Sequence, residues 1–114
     1  AACTYKHKMA AGTGIEMALA IPGFAQRFDI QDLVKCIAPR AVLLVSATED
    51  KASYDADIIV NMAREAFDAL GVGERLEHER YNGGHPMNQH RFDRIVEWIV
   101  SISSQDWHHS TWAT

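Results

Sequence analysis

From Ala41 to Ala47 every residue but Ser46 is apolar. A strand with one wet face alternates, whereas a continuous run belongs to a strand covered on both faces, typically a central strand of a parallel sheet. After the acidic loop Thr48 to Asp55 the period changes. Ile59, Met62, Ala63, Ala66, Phe67 and Leu70 recur at i, i+3, i+4, i+7, i+8 and i+11, the stripe of an amphipathic helix. Ser53 or Asp55 is placed to cap its start and Gly71 to end it. Arg75 to Tyr81 reads as a second strand, and Glu77, His78, Glu79 and Arg80 place it near the sheet edge, where charges discourage unwanted pairing. A last stripe of Phe92, Ile95, Val96 and Ile99 predicts a closing helix from about Gln89 to Ser103. Strand, crossover helix and strand make one right-handed βαβ unit.

Upstream of the apolar run, Asp29 is a good N-cap for a short helix Ile30 to Cys36, and Asp32 complements its dipole. Ala38-Pro39 ends that helix, since the residue before proline is pushed out of helical angles. Ile21-Pro22-Gly23-Phe24 reads as a turn, and the Ala/Met/Gly-rich text from Met9 to Ala20 as a weak helix. The tail from Gln105, with Trp107, His108, His109 and Trp112, has no periodicity and suits a loose end or a partner contact. The pattern divides the chain into a single domain over residues 1–104 and a tail over 105–114.

Composition narrows the class without naming a chemistry. The 114 residues are 47% hydrophobic and 23% charged, the balance of a globular protein. A net charge of −4 and the absence of a Lys/Arg run argue against nucleic acid and against an anionic membrane surface. No stretch approaches the roughly 18 apolar residues of a membrane span, and no signal-peptide pattern is present. Two cysteines, Cys3 and Cys36, are expected to be unpaired.

A strand as apolar as residues 41–47 needs neighbours on both sides, yet only one further strand is legible. The chain is therefore expected to be the C-terminal part of a larger α/β sheet, or to complete itself against another chain, including a second copy. The missing initiator Met agrees. Expressed alone, such a segment should be poorly soluble or oligomeric.

Two residues stand where chemistry is done. Asp50 leaves the C-terminal end of the buried strand, where open α/β sheets place ligand crevices. His85 follows on Asn82-Gly83-Gly84, whose glycines let the loop carry an imidazole over the sheet edge. A buried carboxylate that orients a histidine is one half of a Ser-His-acid relay. Taken singly, Asp50 reads as a solvated loop acid and His85 as a turn histidine; together, in this order, they read as the relay. Glu49 is a substitute acid. His78, His85 and His90 with Asp50 match no compact zinc spacing. Ser46 reads as packing, Ser53 as a cap, His108 and His109 as tail residues, Trp98 and Met62 as core or helix-surface residues. Arg40 suits an ion pair with Asp29 or Asp32.

The combination Ala38-Pro39-Arg40, apolar strand, Asp50, helix, strand and Gly83-Gly84-His85 resembles the C-terminal portion of α/β-hydrolases of the acetyl xylan esterase and dienelactone-hydrolase-like branch. The resemblance runs from Cys3 to Trp98 and includes Arg27-Phe28-Asp29 to Ile37. Ala41 stands where a second proline is common, and Lys51-Ala52-Ser53 replaces a proline-containing loop. The resemblance implies that Asp50 is the triad acid and His85 the triad base. It also implies hydrolysis of a small-molecule carboxylic ester without a cofactor. No Gly-x-Ser-x-Gly elbow occurs, so the resemblance places the nucleophilic serine upstream of Ala1. Two other readings are open: a non-catalytic hydrolase-like module for binding or assembly, and a metal-dependent hydrolase using the histidines.

Overall fold

The computed structural model describes residues 3–11 and 21–105. Its element order is α1 (Tyr5–Ala11), α2 (Ile30–Lys35), β1 (Val42–Ala47), α3 (Ala56–Ala69), β2 (Leu76–Tyr81) and α4 (Gln89–Ser103). Short 3-10 turns at Phe24–Gln26, Lys51–Ser53 and Gly73–Arg75 join them. The architecture is a small α/β arrangement: helices around a two-stranded parallel sheet, with Val42 opposite Leu76 and Ala47 opposite Tyr81. The parallel pairing follows from α3, which carries the chain back to the start of the sheet between the strands.

Alternation along the strands sorts the two sheet faces. Val42 and Leu44 of β1 and Leu76 of β2 meet Val34, Ile59, Val60, Ala63, Phe67 and Val72, with Ile30 and Ala38 at the margin. This is the core, and Phe67 at its centre is wholly buried. The opposite face is joined to α4 by polar contacts. Trp98 Nε1 donates to Glu77 Oε2 at 2.7 Å, and Arg94 donates to Glu77 at 3.4 Å and also to Glu79.

Local chemistry fixes the ends of the elements. Asp29 caps α2 in a capping box with Asp32, as its sequence position predicts. The same carboxylate accepts from the Tyr5 amide at 2.7 Å and the Lys6 amide at 3.2 Å, tying α1 to α2. Helix α3 ends in a Schellman motif, with Gly71 at φ 71° and the Val72 amide donating to Phe67 O at 2.9 Å. The turn at Pro22-Gly23 is also present, with Gly23 at φ 76°.

Several expectations change. The first helix starts at Tyr5, ahead of Met9, while residues 12–20 lie outside the described residues, as do Trp107, His108, His109 and Trp112. Asp55 stands at the N-cap of α3, but its carboxylate makes no cap bond. It accepts instead from the Thr4 amide at 3.2 Å and from the Thr4 hydroxyl, which anchors α1. The buried stripe of α3 is Ala56, Ile59, Val60, Ala63 and Phe67, so Met62 and Leu70 face out. Helix α4 has the expected bounds, but Phe92, Val96 and Ile99 are exposed and Arg91 is its one buried residue. Cys3 is a buried free thiol, pushed up to about 12 by burial and the Asp55 carboxylate, and Cys36 is free and exposed.

Candidate active site

The loops that leave β1 and β2 continue the sheet's pairing past its last residues. The Thr48 amide donates to Tyr81 O at 2.9 Å, the Glu49 amide to Gly83 O at 2.8 Å, and the Gly83 amide to Thr48 Oγ1 at 3.1 Å. Gly83 reaches the last two bonds at φ 109°, a backbone angle that side chains disfavour. Two segments 35 residues apart are thereby laid side by side, with Asp50 at the end of one and His85 at the end of the other.

Asp50 is held from three directions. Its Oδ1 accepts from the Ala52 amide at 2.9 Å, and its Oδ2 accepts from the Ser53 hydroxyl at 3.0 Å. His85 Nδ1 lies 2.9 Å from the same Oδ2. The Ser53 hydroxyl also accepts from the Ala47 amide at 3.2 Å, so the carboxylate is locked to the end of β1. Burial raises the carboxyl, but the hydrogen bonds from His85, Ala52 and Ser53 outweigh it and hold Asp50 below the ordinary carboxylate range. An ionised carboxylate only accepts, so Nδ1 carries the imidazole proton and Nε2 of the neutral ring is left as an acceptor. The Asp50 side chain is 8% exposed and that of His85 67%. A buried acid thus presents an accessible base to a cleft of about 220 Å³ lined by Val45, Ser46, Ala47, Pro86, Met87 and Arg91.

The sequence-predicted pair therefore meets. Glu49 is exposed and enters through its amide, with no role for its carboxylate in this contact. Ser53 is not a helix cap; it is fully buried and holds Asp50. The short Asp50-Lys51-Ala52-Ser53 spacing was the only sign of it, and a helix cap has the same spacing. Ser46 is not simply packing: its hydroxyl sits 2.7 Å from His78 Nε2 and accepts from Arg80 Nε at 3.1 Å. Beyond His78, Asp57 lies at 3.5 Å. His90 packs edge-on against Tyr81, at 5.4 Å between ring centroids. The histidines are dispersed, and among the described residues no group of three metal-ligating side chains forms. No helix of the described residues is long and apolar enough to cross a membrane.

Compared with known proteins, the chain matches no family model, no curated protein and no solved structure.

Proposed function

We propose that this chain supplies the acid and the base of a serine-dependent carboxylic ester hydrolase. The observation that carries the proposal is the 2.9 Å contact between His85 Nδ1 and Asp50 Oδ2, made by a buried carboxylate and an imidazole open to a cleft. In this reading His85 Nε2 takes the proton of a serine hydroxyl as its oxygen attacks the ester carbonyl. Asp50 holds the ring in the required tautomer and stabilises the imidazolium that forms. The proton then passes to the departing alcohol, and a water molecule activated by the same nitrogen releases the acid from the acyl-enzyme. No cofactor enters these steps.

Support for an α/β-hydrolase sheet comes from chain order: parallel strand, acid at its C-terminal end, helix, adjacent strand, glycine turn, histidine. The nucleophile belongs to a further segment of the polypeptide or to another chain. Ser46 sits within a strand bonded to His78 and Arg80, and Ser53 is closed in beneath Asp50, so neither stands on an elbow. The exposed Phe92, Val96 and Ile99 of α4 give such a segment apolar surface to pack against. The same surface favours the second reading, a hydrolase-like module that binds or assembles without catalysis.

Labelling of the full-length protein with a fluorophosphonate, followed by peptide mapping, separates these readings. One serine outside these 114 residues should be modified, together with turnover of an aryl acetate. Absence of both labelling and turnover leaves the module, and labelling of Ser46 would move the relay to His78.

A further inference from the structure

Arg91 is a cation buried to 5% exposure on a helix whose Phe92, Val96, Ile99 and Val100 are exposed. Ion burial costs several kcal/mol unless the charge is compensated, and carboxylates are the usual partners. Among the described residues no carboxylate forms an ion pair with Arg91. Its guanidinium is spent on the loop that carries His85. One terminal nitrogen donates to Gly84 O at 2.7 Å and to Pro86 O at 3.0 Å, and the other reaches Asn82 O at 3.4 Å. The two shorter bonds fall on the residues immediately before and after the histidine. The group also lies over the Tyr81 ring, 5.3 Å from its centroid, at the point where β2 enters the loop. Its own backbone is fixed as well, because the Arg91 amide donates to the Asn88 side chain that caps α4, at 2.9 Å.

We propose that Arg91 is the positioning residue of this site: a clamp that fixes the His85 loop to the first turn of α4 and thereby holds Nδ1 in register with Asp50. The proposal rests on the reading of His85 as the base. The Thr48 and Glu49 bonds hold the loop at Gly83, and beyond Gly83 the contacts that fix it are those of Arg91 and of His85 with Asp50. His85, Pro86 and Met87 are exposed, and Gly84 leaves the backbone free immediately before the histidine. A single planar fork that reaches three carbonyls removes that freedom in a way one lysine ammonium cannot, since the spacing of its donors is rigid.

The test compares Arg91→Gln and Arg91→Lys with the parent full-length protein, by ester turnover and by nitrogen NMR of the His85 ring. In the parent, the neutral ring should be the Nδ1–H tautomer imposed by Asp50. In both variants that tautomer should give way to a mixture with Nε2–H, and kcat should fall about 10²-fold, the scale of a misplacement near 1 Å, with KM little changed. Added guanidinium should restore part of the loss in Arg91→Gln. Should Arg91→Gln fail to fold, Arg91→Lys, which keeps the charge and the stem, carries the comparison alone. A His85 ring that stays Nδ1–H in a folded variant with undiminished kcat overturns the clamp. The NMR arm does not depend on turnover: a parent without esterase activity refutes the hydrolase reading, while loss of the Asp50-bound tautomer in the variants still upholds Arg91 as what holds the loop.

Discussion

Two of the described histidines each face a carboxylate, and they differ in which of the two groups is buried. At the sheet's C-terminal end the acid is enclosed and the base is open: 8% exposure for Asp50 against 67% for His85. At the α3 face the order is reversed, with His78 at 14% and Asp57 at 57%. His78 even completes a hydroxyl, imidazole and carboxylate series through Ser46, yet its Nε2 is taken up by a buried strand hydroxyl, and the Asp57 contact of Nδ1 at 3.5 Å exceeds a hydrogen bond. Burial lowers the His78 pKa, and so does Arg80, while the exposed Asp57 carboxylate opposes them without prevailing. The lesson is that residue types do not make a relay. A relay needs a fixed acid behind a base with a free, reachable nitrogen, and of these two sites the His85 site has that order.

The most decisive way to break this comparison is to remove each imidazole in turn. His85→Ala should cost the full-length protein about 10²–10⁴-fold in kcat, the range of general acid–base catalysis, and about 1–3 kcal/mol of stability, because the buried Asp50 carboxylate loses one of its three partners. His78→Ala should touch stability alone. It leaves the buried Ser46 hydroxyl short of a partner, which costs about 1–3 kcal/mol, while turnover per folded molecule stays at the parent value. Activity lost in His78→Ala at unchanged stability would exchange the roles of the two sites.

Part of this was legible in the chain and part was not. The bounds of α4 and the N-cap at Asp29 follow from local pattern, which depends on neighbours in sequence, while the meeting of Asp50 with His85, 35 residues apart, was legible only in the order of strand, acid, helix, strand, glycine turn and histidine. Arg91 gives no such signal, since an arginine in the first turn of a charged helix looks like solvent-facing text until the loop folds back over it. The Ser46, His78 and Arg80 cluster needs the strand register, which sets Ser46 opposite Arg80 and Leu44 opposite His78. Asp55 shows the limit of the capping rule. A long-range partner, Thr4, claims its carboxylate in competition with the helix it precedes. The exposed stripe of α4 has the right period but no partner among the described residues, because period reports amphipathicity and not what covers it.

Acid titration should resolve the two sites into separate windows. The folded His78 binds its proton less readily than an unfolded imidazole, whose ordinary value is 6.5. Its contribution is present above 6.5 and is lost as pH falls below that toward its depressed folded value. Asp50 is depressed from 3.8, so its contribution persists above 3.8 and is lost only as pH falls further, through its own folded value. Glu79, also lowered against burial by bonds from Tyr81 and Arg94, shares the lower window. Denaturant midpoints measured against pH should therefore decline in two steps. His78→Gln should erase the upper step and Asp50→Asn should shrink the lower one. A single step in the parent, unaffected by either change, would contradict the assignment.

The smallest expected effect is at Asp57, and it sharpens the contrast with Asp50. Asp57 lies 3.2 Å from the Arg80 guanidinium and 3.5 Å from His78, an arrangement that looks as well paired on paper as the Asp50 site. Its exposure changes the energetics, because water screens both contacts and ion pairs of this kind contribute about 1 kcal/mol or less. Its place in the first turn of α3 adds a dipole contribution of about 0.3–1 kcal/mol. Asp57→Asn should thus lower stability by no more than about 2 kcal/mol, with most of that loss disappearing at high salt and no effect on turnover. Asp50→Asn leaves an amide whose NH₂ can face the ring, and it should remove most of the activity through the wrong His85 tautomer. If the two asparagine variants instead behaved alike in kinetics, enclosure of the carboxylate would not be what distinguishes a working acid from a surface one.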